Sequence, residues 1–362
     1  MQLGIWCPAP LSIRPTGVFA PAFEALVQQG GGVDANYLGS LEYIKRAEKL
    51  GFSITLIAQR FLGPDLDSWI LSTAIAAHTS TIEIMAAVHP GIIDPRVVAK
   101  QAVSIDRISG GRFCVNIVNG TRPHEFHAFG EWIEIGAARY RRMDEFIQCL
   151  KTLWTGAEAS FKGEFYSFEN CAVPTRAVRK PYPPIYAASR AEDGMDVVAR
   201  EADVWFVNPI NDFQRYDESL MKVEAEIHEM RRKCAALGRS MRFGLSACVV
   251  QGDTDKEAID FAFDYKAAAM SDPTLKSAYN GLSAGIIGSA KTVVDRMKRW
   301  NDMGVDLFML QFYPLQNGID RFASDVMPEV TRSSLMKTLS CGSSAPSSSK
   351  SMKSGSLTQR HI

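Results

Sequence analysis

The chain has 362 residues, 40 Lys+Arg against 40 Asp+Glu, 46% hydrophobic and 22% charged residues. This is an ordinary globular balance with enough apolar material for a large core. Zero net charge with no basic block leaves no electrostatic footprint for nucleic acid. No apolar run approaches the ~20 residues of a membrane helix, and no secretory leader is visible at MQLGIWCPAP. Seven scattered cysteines, odd in number and without CxxC spacing, suit a reduced compartment, and the expectation is a cytoplasmic protein.

Short apolar runs alternate with helical periodicities along the chain. Strands are expected at 3–7 (LGIWC), 54–58 (ITLIA), 82–88 (IEIMAAV), 113–118 (FCVNIV), 185–188, 203–207 (DVWFV), 243–250 (FGLSACVV) and 306–312 (DLFMLQF). The spacing predicts helices over 37–50, 67–78, from Pro95 to Ile108, 137–154, 192–201, 213–237, 253–270, 290–303 and 321–339. Residues 156–184 depart from this rhythm as an aromatic and proline-rich excursion, read as a hairpin. Eight short apolar strands, each followed by a helix, imply parallel strands buried on both faces. The fold class is therefore α/β, a (β/α)8 TIM barrel with insertions after strands 4 and 7. An open dinucleotide-binding sheet is the rival, but no GxGxxG follows the first strand. One domain is expected over 1–340. Residues 341–362 hold eight serines and no acid and read as a disordered tail.

A barrel places its chemistry at the C-terminal strand ends. That rule selects Gln59 and Arg60 after strand 2, His89 after strand 3, Asn116 and Asn119–Arg122 at strand 4, Ser189 and Arg190 after strand 5, Asn208 after strand 6 and Tyr313 after strand 8. Asn116 stands out, because a buried amide within FCVNIV needs either a backbone partner or a ligand. His89 is an acid/base or ligand candidate, with a structural histidine as the alternative. His124 and His127 have HxxH spacing without the zincin glutamate pattern, so no metal is expected. Ser189-Arg190-Ala191 opens a helix where free N–H groups favour phosphate, and plain capping by Ser189 is the alternative. Arg139 and Tyr140 begin another helix and could reach the same anion. In Gly285–Thr292 (GIIGSAKT), Ser289 reads as a helix cap rather than part of a phosphate loop. Cys248, in line with Ser246, has no activating base nearby and reads as buried filler.

At IDRISGGRF, running into VNIVNG (105–120), the chain resembles the bacterial luciferase-like flavin monooxygenases, and most of all the alkanesulfonate, dimethylsulfone and pyrimidine monooxygenases. AEKLGF, ARYRRMDEF, FKGEFYSFEN, PYPPIYAAS and LQFYP strengthen the resemblance, which covers roughly residues 2–335. It implies a barrel binding reduced FMN, supplied by a separate NAD(P)H-dependent flavin reductase, and using O2 to oxygenate a small substrate. It also implies a homodimer or homotetramer. By matching position, Gln59 and Arg60 lie beside the flavin ring, Asn116 hydrogen-bonds it with Glu125 nearby, and Arg139, Tyr140 and the Ser189-Arg190-Ala191 backbone meet the phosphate. His89 and Tyr313 are the candidate catalytic residues.

Two departures matter. The Gly-Gly-Ser-Ser common after strand 5 is Ala188-Ser189-Arg190-Ala191 here, so one phosphate hydroxyl is lost and Arg190 is a candidate replacement. The Arg and His that the sulfonate enzymes carry in strand 7 are Ser246 and Cys248. The expected substrate moves accordingly toward a neutral organosulfur compound such as a sulfone, with C–S cleavage. Ring opening of a pyrimidine-like amide, hydride transfer with a deazaflavin, and flavin binding without turnover remain open. A mouth rich in aromatics (Trp6, Phe61, Trp69, Phe126, Phe129, Tyr313) suits a water-excluding site.

Overall fold

A computed structural model describes residues 1–8, 31–63, 65–119, 123–129, 136–271, 280–313 and 315–331. Asp67 and Asp94 show how the sequence punctuates this chain. Each carboxylate accepts backbone N–H bonds at the start of a helix, α2 (Ser68–His78) and α3 (Pro95–Ile108), and Pro95 fills the first turn of α3, where no N–H is needed. Asp34 does the same for α1 (Ala35–Leu50). Between these helices run β1 (Gln2–Trp6), β2 (Ile54–Ile57), β3 (Glu83–Val88) and β4 (Phe113–Ile117).

After β4 come a short helix α4 (Pro123–Ala128), α5 (Ala137–Thr155) and an antiparallel hairpin of β5 (Ala159–Lys162) and β6 (Ser167–Cys171). Glu145 on α5 accepts the N–H groups of Glu164 and Phe165 at 2.7 and 2.9 Å, and Arg141 grips Glu164 with two 2.9 Å bonds. The hairpin is thereby fastened to α5. The alternation then resumes with β7 (Ile185–Ala187), α6 (Glu192–Glu201), β8 (Val204–Val207), α7 (Tyr216–Ala236), β9 (Arg242–Gln251), α8 (Asp255–Ser271), β10 (Ile287–Gly288), α9 (Ala290–Asp302), β11 (Leu307–Tyr313) and α10 (Leu315–Asp325).

The order β9-β11-β1-β2-β3-β4-β7-β8 closes on itself, because β8 also pairs with β9, and every rung is parallel. This is the expected eight-stranded barrel. Two-residue β10 lies outside the ring and pairs in parallel with Val250 and Gln251 at the end of β9.

Alternate residues point to opposite faces, so the core has two shells. Ile54, Leu56, Met85, Cys114, Tyr186, Val204, Phe206, Leu307 and Met309 fill the lumen, with Trp6 above them. The intervening residues, such as Ile5, Ile57, Val115 and Phe308, pack against the helices.

Two expectations change. The last helix begins at Leu315 rather than Arg321, directly after β11, because Ile319, Phe322 and Val326 bury its inner face. The helical path is interrupted at Val326 and resumes over 327–331, the break lying just before Pro328, which supplies no N–H to the ladder. Residues 332–339, expected to be helical, and the tail lie outside the described residues. The GIIGSAKT segment is β10 followed by the start of α9. Ser289 does take the N-cap position, but its hydroxyl bonds to Asp255 at 2.8 Å instead of capping the helix. No described helix is long and apolar enough to cross a membrane.

Candidate functional site

The lumen shell continues toward the C-terminal rim with residues of different chemistry. On β4 the side chain two positions after Cys114 is Asn116, which therefore faces the lumen. It is 8% exposed and its amide bonds to no described residue. Ala58 and Ala188, just past β2 and β7, are open at the rim. On β1 the Trp6 indole N–H donates to Ser246 Oγ on β9 at 3.0 Å. Cys248, one inward step further along β9, is pushed up to about 12 by burial, so it is a neutral filler as the sequence indicates. Gly281 presses on it. A Cβ there would sit 2.8 Å from the Cys248 backbone nitrogen, so only glycine lets this segment lie over the β9 end of the lumen.

A second corner forms where α5 and α6 begin. Arg139 lies with its guanidinium 4.7 Å from the Tyr140 ring centre and donates to the Tyr140 hydroxyl at 2.7 Å. Its Nε is buried without a hydrogen-bond partner. Ser189, 7% exposed, accepts the Ala191 N–H at 3.2 Å, and α6 has no side-chain cap. The N-cap residue is Ala191, so the capping role considered for Ser189 is not the one it takes. Gly194, in the first turn of α6, is the contact point. A Cβ there would collide with Ser189 Oγ and approach Tyr140 Cε1 to 2.5 Å. The corner thus joins a half-buried cation, a phenol and uncapped helix N–H groups, the donor set of an anion site. Glu192 and Asp193 in the same turn oppose an anion, but Lys233 draws Glu192 outward at 2.5 Å.

The other sequence candidates are placed as follows. Gln59 is buried, and its amide is committed to the start of α2, donating to Asp67 at 3.1 Å and accepting the Ser68 N–H at 2.9 Å. Arg60 is paired with Asp65 within the same loop. His89 is buried, with Nδ1 3.0 Å from the Val118 carbonyl and Nε2 3.3 Å from the Gln59 carbonyl. A neutral ring has one N–H and donates to only one of these. Arg190 is exposed and donates to Asn208 at 3.2 Å, beside the anion corner. Glu125 is buried in α4, and the adjacent Phe126 meets His89 edge to face at 6.4 Å. Phe61 completes this cluster, 5.0 Å from Phe129 and 6.0 Å from His89. Tyr313 stacks on Tyr265 at 4.3 Å. Trp69 does not belong to the mouth. It packs on Phe113 at 5.2 Å under α2 and donates to the Ala87 carbonyl, because its position points it away from the lumen. Gly120, Thr121 and Arg122 lie outside the described residues. No group of three or more metal-ligating side chains occurs among the described residues.

Sequence reasoning missed Gly194 and Gln311. On β11 Gln311 follows Met309 on the lumen face, and its Oε1 is buried without a partner. The signal was the same as at Asn116, a lone amide in an apolar strand.

A family model described as luciferase-like monooxygenase matches residues 15–307. The chain is 30% identical over 338 residues to the FMNH2-dependent dimethylsulfone monooxygenase of Pseudomonas putida, covering 84% of this chain and 90% of that protein. It is also 30% identical, over 318 residues, to the enzyme of that name from Pseudomonas fluorescens (strain Pf0-1), covering 78% and 84%. The solved EDTA monooxygenase of Chelativorans sp. BNC1 superposes with a TM-score of 0.72 at 18% identity, over 92% of this chain and 94% of that one. The closed ring, the open rim and the matched length agree: this chain belongs to the luciferase-like monooxygenase family.

Proposed function

We propose that the protein is a reduced-FMN-dependent monooxygenase that oxygenates a small neutral organosulfur compound, a sulfone, and breaks its C–S bond. The observation that carries this reading is the pairing of a buried lumen amide, Asn116, which bonds to no described residue, with the Arg139–Tyr140–Gly194 corner, where Arg139 Nε is buried without a partner. A flavin mononucleotide presents a polar planar ring and a dianionic phosphate, and these residues fit both ends. Tyr140, the Arg139 guanidinium and the α6 N–H groups would hold the phosphate, and Asn116 would offer the ring a hydrogen bond. When bound, the reduced flavin supplies the two electrons that activate O2. One oxygen atom enters the substrate and the other leaves as water.

The chain's own residues supply position and dryness. The Phe61–His89–Phe126–Phe129 cluster walls the mouth beside β2 and β3. The wall made by β1, β9 and β11 carries Trp6, Ser246, Cys248 and Gln311, none of them charged, which favours a sulfone over a sulfonate anion. Reduced FMN comes from a separate NAD(P)H-dependent reductase, and the enzyme self-associates as a homodimer or homotetramer.

Anaerobic fluorescence titration with reduced FMN tests the cofactor. No binding at tens of micromolar refutes the reading. Oxygen uptake with dimethylsulfone, yielding formaldehyde and methanesulfinate in equal amounts, tests the substrate class. Uptake with methanesulfonate alone would move the assignment to sulfonates.

A further inference from the structure

We infer that Gln311 is the specificity-determining residue of this site, the amide that hydrogen-bonds a neutral acceptor on the substrate, specifically a sulfone oxygen. The inference rests on the flavin reading above and extends it to the opposite wall.

Three observations combine. First, β4 and β11 are the fourth and eighth strands around the closed ring, so Asn116 and Gln311 face each other across the lumen. A flat cofactor held against Asn116 leaves the Gln311 side for the substrate. Second, Gln311 lies in register with Cys248, and Leu310 with Ile5, which sets Trp6 on its other flank. Because the Trp6 indole reaches past β11 to Ser246, whose register partner is Met309, the ring crosses the foot of Gln311 as an apolar floor. Third, Ser246 is occupied by Trp6 and Cys248 is held neutral by burial, so among the described residues Gln311 Oε1 is the one lumen-facing atom of this wall that is buried without a hydrogen-bond partner; Gln251 Oε1 on β9, also unpartnered, faces the helices.

A primary amide presents a donor or an acceptor to the same point by turning over. Toward a sulfone oxygen it presents Nε2–H. It carries no charge, so it offers a sulfonate no ion pair, and the apolar floor accepts methyl groups. An amine or ammonium substrate would find one acceptor and no counter-charge.

The test uses the full chain with reduced FMN and dimethylsulfone as the probe. Gln311→Leu keeps the volume and removes both hydrogen-bonding atoms. The expected result is a KM for dimethylsulfone raised about tenfold, the loss of one hydrogen bond, with kcat changed less than KM and reduced-FMN affinity unchanged. Gln311→Glu keeps an acceptor and adds charge, and it should lose dimethylsulfone turnover while still binding FMN. Melting temperatures of both variants exclude unfolding as the cause. An unchanged KM in Gln311→Leu overturns the inference, as does a loss of FMN affinity as large as the loss for substrate, which would make Gln311 a cofactor ligand. Wild-type protein that binds reduced FMN but shows neither turnover nor a dimethylsulfone-dependent change in flavin fluorescence overturns it too. Failure of the wild type to bind reduced FMN is instead a failure of the flavin reading.

Discussion

Gly194→Ala addresses the anion corner with one methyl group. Its Cβ would lie 2.5 Å from Tyr140 Cε1 and 2.7 Å from Cδ1, and would overlap the Ser189 hydroxyl. Both neighbours are 7% exposed and enclosed by core, so neither can swing into solvent. Forcing a methyl into such a contact costs about 1–3 kcal/mol. If that cost falls on the phosphate-bound state, it weakens FMN roughly 5- to 150-fold. Riboflavin lacks the phosphate and serves as the internal control, since the ring end of the site is untouched. The assay is fluorescence titration of wild type and variant with FMN and riboflavin. The expected outcome is a preference for FMN over riboflavin reduced at least about fivefold. Thermal melting of the ligand-free protein reports any general destabilisation separately. If Gly194→Ala melts lower yet keeps the full FMN preference, the corner packs the fold and does not hold phosphate.

Asn116→Ala removes an amide that bonds to no described residue, so folding stability should hold or rise slightly while reduced-FMN affinity falls about three- to tenfold. Unchanged affinity removes Asn116 from the site. Asp67→Ala deletes a carboxylate that accepts the Trp69 and Ile70 N–H groups at 3.0 Å and the Gln59 amide, and should cost about 1–2 kcal/mol in denaturant unfolding; a difference near zero would show that the cap is dispensable. Hydrogen bonds from the Ser289 N–H, the Ser289 hydroxyl and the Thr292 hydroxyl lower the pKa of Asp255. A lowered folded pKa means the stabilisation is full above the unfolded carboxylate value near ~3.9 and disappears as pH falls through the folded value. Asp255→Asn should therefore be destabilised at neutral pH, with the gap to wild type closing below about pH 4. A gap independent of pH counts against the charged form as the source.

Much of the architecture is legible because burial on both faces leaves little choice of residue. ITLIA and FCVNIV read as strands, and the ring follows from their number and from the helices between them. Asn116 is legible as a local contradiction, an amide where every neighbour is apolar. Gln311 carries the same contradiction, but DLFMLQF ends one residue later, and an amide near a strand end looks like an ordinary exit into solvent. Gly194 is illegible for a different reason. Its value depends on Tyr140, which arrives from another helix 54 positions away in the chain, and no local pattern encodes that meeting. Gln59 shows the reverse case. Its position after a strand selects it, yet the neighbouring Asp67-Ser68 claims its amide for capping, a competition between local and distant partners that spacing alone does not decide.

The Trp6–Ser246 bond joins residues 240 positions apart, and β1 meets its neighbour β11 only at the far end of the described chain. Contacts of such separation carry a high loop-closure cost and form late. During synthesis, then, the helices and the first four strands can associate well before the wall opposite them exists. The catalytic chamber is the last thing this chain completes, and a nascent or truncated molecule lacking its final strand would have half a binding surface and no enclosure.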